Sequence, residues 1–314
     1  MASRAAWLLP ALLAAALAAS SGCGLFDSID HGQTDGGAPD AGGSADAATD
    51  AGTDGGSDGG VDAGTDGGTD AGTDAGAGNI AIYVRGEITT RTFTDGYSGQ
   101  TPRMQVFGIG RLDLMLGPTD PAPVTVVDHA ASPVLADMLT TTLAGRANGA
   151  AIPPGVYTHG RVLLTQARFR IGATAHQGAL ALPGELTVVT ALSDSTVDGQ
   201  AWTKGRADYR FDGGVAAFSA TGTLPPLPST AGGTIVSEAT RTWLVFPFTT
   251  PFVIDAADAG QQSATIVYQL YQSFRWQDQA ATGYDAGVFD LDAVGPSFEP
   301  VKNFGATDYR TEPP

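Results

Sequence analysis

The side chains able to do chemistry in this 314-residue chain are few: one cysteine, Cys23, and four histidines. Three of the histidines, His129, His159 and His176, lie in the C-terminal three-quarters of the chain. No two of them stand at i, i+2 or i, i+4, and no cysteine can join them, so a zinc site is not expected. Asp128-His129 is the most suggestive acid–base pair. His159 falls inside a long strand pattern, where a satisfied or solvent-facing histidine is the ordinary outcome. Residues 79–314 contain no G-x-S-x-G elbow. Ser193-Asp194-Ser195 reads as a turn, and a Ser/His/Asp triad would have to be assembled from distant parts. Asp290 and Asp292 share a strand face, whereas the carboxylates of a glycosidase oppose each other across a cleft. They read as a solvated face or a loose cation site. Trp202, Trp243 and Trp276, with Tyr268 and Tyr271, have the chemistry of a sugar-stacking platform, though aromatic residues in strands are more often core. Residues 272–278 mix aromatic, cationic and anionic side chains as binding rims do, and Arg275, Trp276 and Asp278 are the candidate rim. Its partner would be an extracellular glycan or an envelope protein. No catalytic residue, metal ligand or cofactor is assigned.

Charge narrows the classes. The formal net charge is −17. Residues 33–78 contribute −10 through ten aspartates with no Lys or Arg, and residues 79–314 contribute −6. Nucleic-acid binding needs a dense cationic face, so a nucleic-acid partner is excluded. The basic residues of 79–314 are 13 Arg and only 2 Lys.

The elements that must position these groups begin with a leader. After Arg4, residues 5–19 form a 15-residue apolar run. A membrane-spanning helix needs about 20 such residues. The run has the size and flanks of a secretory signal peptide. Ser20-Ser21-Gly22-Cys23 follows directly and resembles the lipobox of bacterial lipoproteins, with Ser20 where that family usually has Leu. The resemblance implies cleavage before Cys23 and a lipid-modified cysteine that holds the chain to a membrane. Three acyl chains would make release negligible, because stable anchoring takes two or more. Gly24 is not the Asp that keeps enteric lipoproteins in the inner membrane, so the implied location is the outer membrane of the cell envelope. The alternative is a conventional cut after Ala19 or Ser20, leaving Cys23 a free thiol on a secreted protein.

From Thr49 onward Asp recurs every fourth residue, from Asp50 to Asp74, between Gly, Ala and Thr. Such a tract cannot offset its ordering entropy by burial. Its glycines make it flexible and its uniform charge extends it. It lacks the alternate-residue aspartates of an EF-hand loop and the apolar position of calcium-binding nonapeptides. It is similar in style to the spacers of myxobacterial lipoproteins. The expected organisation is a signal peptide over 1–22, a lipidated N-terminus and disordered tether over 23–78, and one folded domain over 79–314, with a candidate subdomain boundary in the Pro/Gly/Ser loop near 224–233.

Period-two patterns dominate the domain. Ile80, Ile82, Val84 and Ile88 share one strand face. Met104, Val106, Leu112, Leu114 and Leu116 share another, with Gly108 and Gly110 between them marking a bulge or a close backbone approach. Strands are also expected over 123–128, 156–171 and 185–192, and over 208–211 and 216–218 about an Asp212-Gly213-Gly214 hairpin. Residues 241–255 place Leu244, Phe246, Phe248, Phe252 and Ile254 on one face, with Pro247 and Pro251 making an edge strand or two short ones. Residues 265–278 read as the clearest strand, with Ile266, Tyr268, Leu270, Phe274 and Trp276 on one face, and 288–291 as the last. One helix is expected from Ser132-Pro133, with Leu135, Met138, Leu139 and Thr142 on its face. The fold class is therefore all-β: an antiparallel β-sandwich or flattened barrel with at most one or two short helices, preceded by a disordered linker.

Overall fold

The structure is a computed structural model that describes residues 79–312 except 215, 256–260, 282 and 295–296. The expected signal segment, Cys23, the Asp/Gly tract and Pro313-Pro314 lie outside the described residues. The described part is all-β. Its strands are β1 (Asn79–Glu87), β2 (Ser98–Gln100), β3 (Met104–Met115), β4 (Val124–Asp128), β5 (Val134–Asp137), β6 (Thr142–Asn148) and β7 (Gly155–Gln177). There follow β8 (Leu180–Ala191), β9 (Ser195–Val197), β10 (Gln200–Trp202), β11 (Arg206–Asp212), β12 (Ala217–Thr223), β13 (Thr234–Ser237) and β14 (Thr242–Ile254). The last are β15 (Gln262–Gln269), β16 (Phe274–Trp276), β17 (Asp290–Asp292), β18 (Ser297–Phe298), β19 (Val301–Asn303) and β20 (Asp308–Glu312). The helical content among the described residues is one 3-10 turn, Gly149–Ala151, whose Asn148 side chain accepts from the Ala150 N–H.

The largest sheet runs β12-β11-β8-β7-β14-β13, with β3 and β17 also on β7, β4 and β5 on β3, and β18 on β17. A four-stranded sheet runs β20-β15-β1-β6, a three-stranded sheet β19-β16-β2, and β9 and β10 form a hairpin. None closes into a barrel. Most pairs are antiparallel, but β1 with β15 and β7 with β17 are parallel. The sheets share one core. Phe107 of the large sheet meets Tyr268 of the four-stranded sheet at 5.1 Å between ring centroids, and Phe169 meets Phe274 of the three-stranded sheet at 5.4 Å.

β7, with 23 residues, is the axis of the large sheet. Along one side β14 pairs with it up to Leu164, and β8 takes over from Gln166. Its buried positions change parity at the same place. Val162 and Leu164 are buried before the changeover, and Ala167, Phe169, Ile171 and Ala173 after it. The register with β3 shifts twice here, between Phe107 and Ile109 and between Ile109 and Arg111. Gly108 and Gly110 of β3 mark both a bulge and a close approach, because a Cβ on Gly110 would lie 2.7 Å from Thr165 Cγ2. The displaced ladder is closed by Ser193, 1% exposed. Its Oγ donates to the Leu164 carbonyl (2.6 Å) and accepts from the Thr242 N–H (2.9 Å). Thr242 Oγ1 donates in turn to the Leu192 carbonyl (2.6 Å). The Thr165 carbonyl accepts from the backbone N–H groups of Leu192 and Ser193.

Much of the expected pattern is present. Ile80, Ile82 and Val84 are buried while Ile88 lies 61% exposed beyond the end of β1; Leu186 and Val188 of β8 are buried, and β11 and β12 form the hairpin about Asp212-Gly213-Gly214. On β14, Leu244, Phe246, Phe248, Phe252 and Ile254 are all buried, and the ladder to β7 breaks between Pro247 and Phe252. The last strand is β20 rather than one over 288–291, and three further expectations are corrected. The helix from Ser132-Pro133 is absent: Val134–Asp137 is β5, paired with residues 106–109 of β3, and Thr142–Asn148 is β6. Of its proposed face Met138 is buried, while Leu135 and Leu139 are 45% and 55% exposed. A segment this short gains too little from its own turns against a waiting sheet edge. On β3 the residues packed into the main core are Phe107, Ile109, Leu112 and Leu114, because the bulge changes the parity. Val106 is half-buried and Leu116 lies 59% exposed beyond the strand end. The single strand over 265–278 is two strands in two sheets, broken at Gln272, whose φ of 47° is left-handed. The Ser273 N–H donates to the Leu270 carbonyl across that turn.

Replacing Ser193 by Ala would leave the Thr242 N–H and the Leu164 carbonyl short of a partner in the interior. The expected loss is about 2–3 kcal/mol of unfolding free energy, measured by urea denaturation.

Candidate functional site

The residues that sequence singled out as a rim lie mostly inside. Arg275 is 3% exposed and Trp276 0%, and of the three only Asp278 reaches the surface. Arg275 is fully engaged. Its Nε and one terminal nitrogen grip both carboxylate oxygens of Asp95, it donates to the Tyr97 carbonyl (2.8 Å) and to Gln272 Oε1 (3.1 Å), and its guanidinium stacks on Phe93 (4.0 Å). A paired, planar guanidinium of this kind organises a loop. The pairing with Arg275 helps hold the Asp95 carboxyl below the usual carboxylate value, against burial, which is the largest single influence and acts upward. Trp276 Nε1 donates to Asp278 (2.9 Å), whose other oxygen accepts from Ser98 Oγ (2.5 Å).

What this arrangement presents outward is aromatic. Phe93 and Tyr271 are partly exposed and stack at 6.4 Å with 13° between their planes. Tyr97, 38% exposed, lies on the same loop, with Lys302 Nζ 5.7 Å from its ring. Phe93 and Tyr97 were not singled out in the sequence, because they stand in an irregular stretch before β2. Only the fold of Arg275 against Asp95 brings Phe93 beside Tyr271 and fixes Tyr97 on the same loop. Flat aromatic faces next to fixed polar groups are suited to stacking a sugar ring.

A second cluster lies at the far end of β7. The parallel pairing of β17 brings Asp290, 114 residues downstream, beside His176, with Oδ1 2.8 Å from Nε2. Asp290 is 1% exposed and its other oxygen accepts from the Asp285 N–H (2.9 Å). Tyr284 packs on the imidazole at 4.7 Å. Glu299, 2% exposed, accepts from the N–H groups of Asp290 (2.9 Å) and Gln279 (2.7 Å). Burial pushes the Glu299 carboxyl above the ordinary glutamate value, and those two donors only partly offset it. Asp290 and Asp292 thus have separate fates. Asp290 is an interior partner of a histidine, and Asp292 is a half-buried residue that accepts from the Val294 N–H. No local spacing in the sequence could have revealed this pairing.

The remaining candidates are dispersed. His129 Nε2 lies 3.0 Å from the Ala144 carbonyl, and Asp128 accepts from the Ala130 N–H, so the two side chains make no acid–base pair with each other. His159 Nδ1 meets Thr158 Oγ1 at 2.9 Å, and desolvation lowers its pKa. Ser193 is committed to the β7 ladder. Trp202 and Trp243 are buried beneath Arg206 (4.1 Å) and Arg161 (4.2 Å), and Tyr268 is 0% exposed, so these residues form no open platform. Among the described residues no group of three or more His, Cys, Asp or Glu side chains is placed to hold a metal ion. A scan of protein-family models, a search of curated proteins and a search of solved structures each return no match for this chain.

Two outcomes follow. Trp276→Ala empties a site with no solvent access and is expected to cost about 3–5 kcal/mol of stability, read by thermal or urea unfolding. Glu299 holds its proton longer folded than unfolded, so its contribution is full below the ordinary glutamate value and is lost as pH rises through the raised folded value. The unfolding free energy of the natural protein relative to Glu299→Gln should therefore fall as pH rises above the ordinary glutamate range, checked by urea titrations on either side of it.

Proposed function

We propose that this is a lipid-anchored protein of the cell envelope, held through Cys23, whose β-domain binds an extracellular glycan through the Phe93, Tyr97 and Tyr271 surface. The observation that carries the binding reading is the preorganised aromatic loop. Arg275 clamps Asp95 and the Tyr97 carbonyl and underlies Phe93, so the surface is assembled before any ligand arrives. Preorganisation of this kind lowers the ordering cost of association. The dispersal of His129 and His159, whose ring nitrogens meet the Ala144 carbonyl and Thr158 Oγ1 and no carboxylate among the described residues, also favours binding over hydrolysis. The anchoring reading rests on Ser20-Ser21-Gly22-Cys23 after the apolar run and on the acidic tract that follows. An outer-membrane location extends the same resemblance.

The alternative, a tethered hydrolase acting on extracellular polymer, is favoured by one feature, the His176–Asp290 pair. Glycan arrays probed with the full chain separate the two. Binding that falls at least about tenfold in Phe93→Ala and Tyr271→Ala, equivalent to about 1.4 kcal/mol, supports the proposal. Polymer cleavage abolished by His176→Ala would replace it. For the anchor, labelled fatty acid should incorporate into the natural protein and not into Cys23→Ala. Incorporation that persists in the variant overturns the assignment.

A further inference from the structure

Strand edges are where a β-protein recruits or refuses partners, because each offers a row of unpaired N–H and C=O groups. Most edges here are guarded. β6 carries Arg146, and its ladder to β1 is broken between Ile82 and Tyr83. β4 follows Pro123, ends on Asp128 and has a register shift opposite Leu112 and Asp113. β20 carries Asp308, Arg310 and Glu312, with Arg310 ion-paired to Glu87 and Glu312. β13 is only four residues long, and β2, β9, β10 and β19 only three.

β12 is the exception. Its seven residues, Ala-Phe-Ser-Ala-Thr-Gly-Thr, hold no charge and no proline. Its ladder to β11 runs without a shift from Arg206↔Thr223 to Asp212↔Ala217. It ends the large sheet, and among the described residues its outer edge has no strand partner. Alternate N–H and C=O groups of such an antiparallel edge face solvent. The strand is held rigid from behind: Phe218 stacks on Phe211 at 5.2 Å, and Tyr209 Oη donates to the Thr223 carbonyl (3.0 Å).

We infer that β12 is a docking edge for the β12 of a second copy of this chain, joining two large sheets across a two-fold axis at Ala220. The sequence of the strand is complementary to itself in that register. Ser219 would face the partner's Thr221, and cross-strand hydroxyl pairs of this kind are favourable. Phe218 would lie beside the partner's Gly222, an aromatic covering an edge glycine. Ala217 would face the partner's Thr223. Ser219 and Thr221 share the solvent face, and Phe218, Ala220 and Gly222 the other, so both sets meet their own kind. The self-complementary register favours a second copy over a different extended chain, and charge permits it. On a chain of net charge −17, a self-contact is tolerable where both surfaces are neutral, and β12 is the long edge that meets this condition. A seven-residue edge buries less than a standard interface of about 1,600 Å², so the association is of micromolar strength rather than permanent.

The test is sedimentation equilibrium of the full chain carrying Cys23→Ala, alone and with Ser219→Lys plus Thr221→Lys. In the docked register the two lysines of one copy face those of the other, while in the monomer both point to solvent. The expected result is a mass that doubles with rising concentration, and a variant that stays at the monomer mass with unchanged thermal unfolding. A natural sequence that stays monomeric to about 100 µM, where micromolar association is nearly complete, overturns the inference. So does a variant that still doubles its mass.

Discussion

The changeover on β7 at Thr165 is the constraint on which the rest of the domain depends. Twenty-three residues of strand reach about 75 Å if fully extended. A strand that long twists, and it cannot keep one set of alternate side chains facing a single core. The chain resolves this by exchanging partners and parity together. β14 leaves at Leu164 and β8 begins at Gln166, while the buried set passes from Val162 and Leu164 to Ala167 and Phe169. Exchanging partners leaves backbone groups without a ladder, and these need replacements. Ser193 and Thr242 supply them, and Gly110 gives room for Thr165. The four-stranded and three-stranded sheets can then pack against one surface, through Phe107 and Phe169.

Charged groups follow a related rule. Asp113 has no side-chain exposure, and it is held by Arg111 and Arg161, each at 2.7 Å, with Arg161 lying over Trp243. A buried carboxylate is tolerated only when its oxygens are satisfied, and two guanidinium groups do this while covering the indole. Arg275 with Asp95 is the converse, a buried guanidinium gripped by a carboxylate that stays 40% exposed in the loop before β2. The preference for Arg over Lys in this domain fits such work, since a planar fork holds a carboxylate and stacks on a ring at once. The aromatic surface at Phe93 is a product of the same device.

Legibility in the sequence followed the range of the interaction. Strands with an unbroken period of two, such as β1, β8 and the β11–β12 hairpin, could be read because one buried face writes an alternation into the chain. The bulge at Gly108 and Gly110 could be read as a bulge, but not its effect on parity, which depends on how β3 meets β7. The segment after Ser132 carried proper helix-start chemistry and still became a strand, because the edge of β3 offered it a ladder. Residues 265–278 carried an unbroken apolar pattern through a turn, since Leu270 and Phe274 stay buried on either side of Gln272. The rim residues were noticed for their mixed character. Their true arrangement, with Arg275 and Trp276 inside and Asp278 at the surface, needed the partners from residues 93–98.

What the sequence determined by itself is local. The Asp/Gly tract has almost no apolar side chains larger than alanine with which to form a core, Cys23 is the sole thiol, and the domain alternates as strands do. These follow from composition and from the geometry of a single extended chain. The tertiary structure alone decided which strands meet: that β1 lies parallel to β15, that β17 carries Asp290 to His176, and that β12 is left at the end of the sheet. Such pairings join residues far apart in the chain, and each rests on small energies of packing and hydrogen bonding summed over the whole sheet. No short stretch of sequence contains that sum.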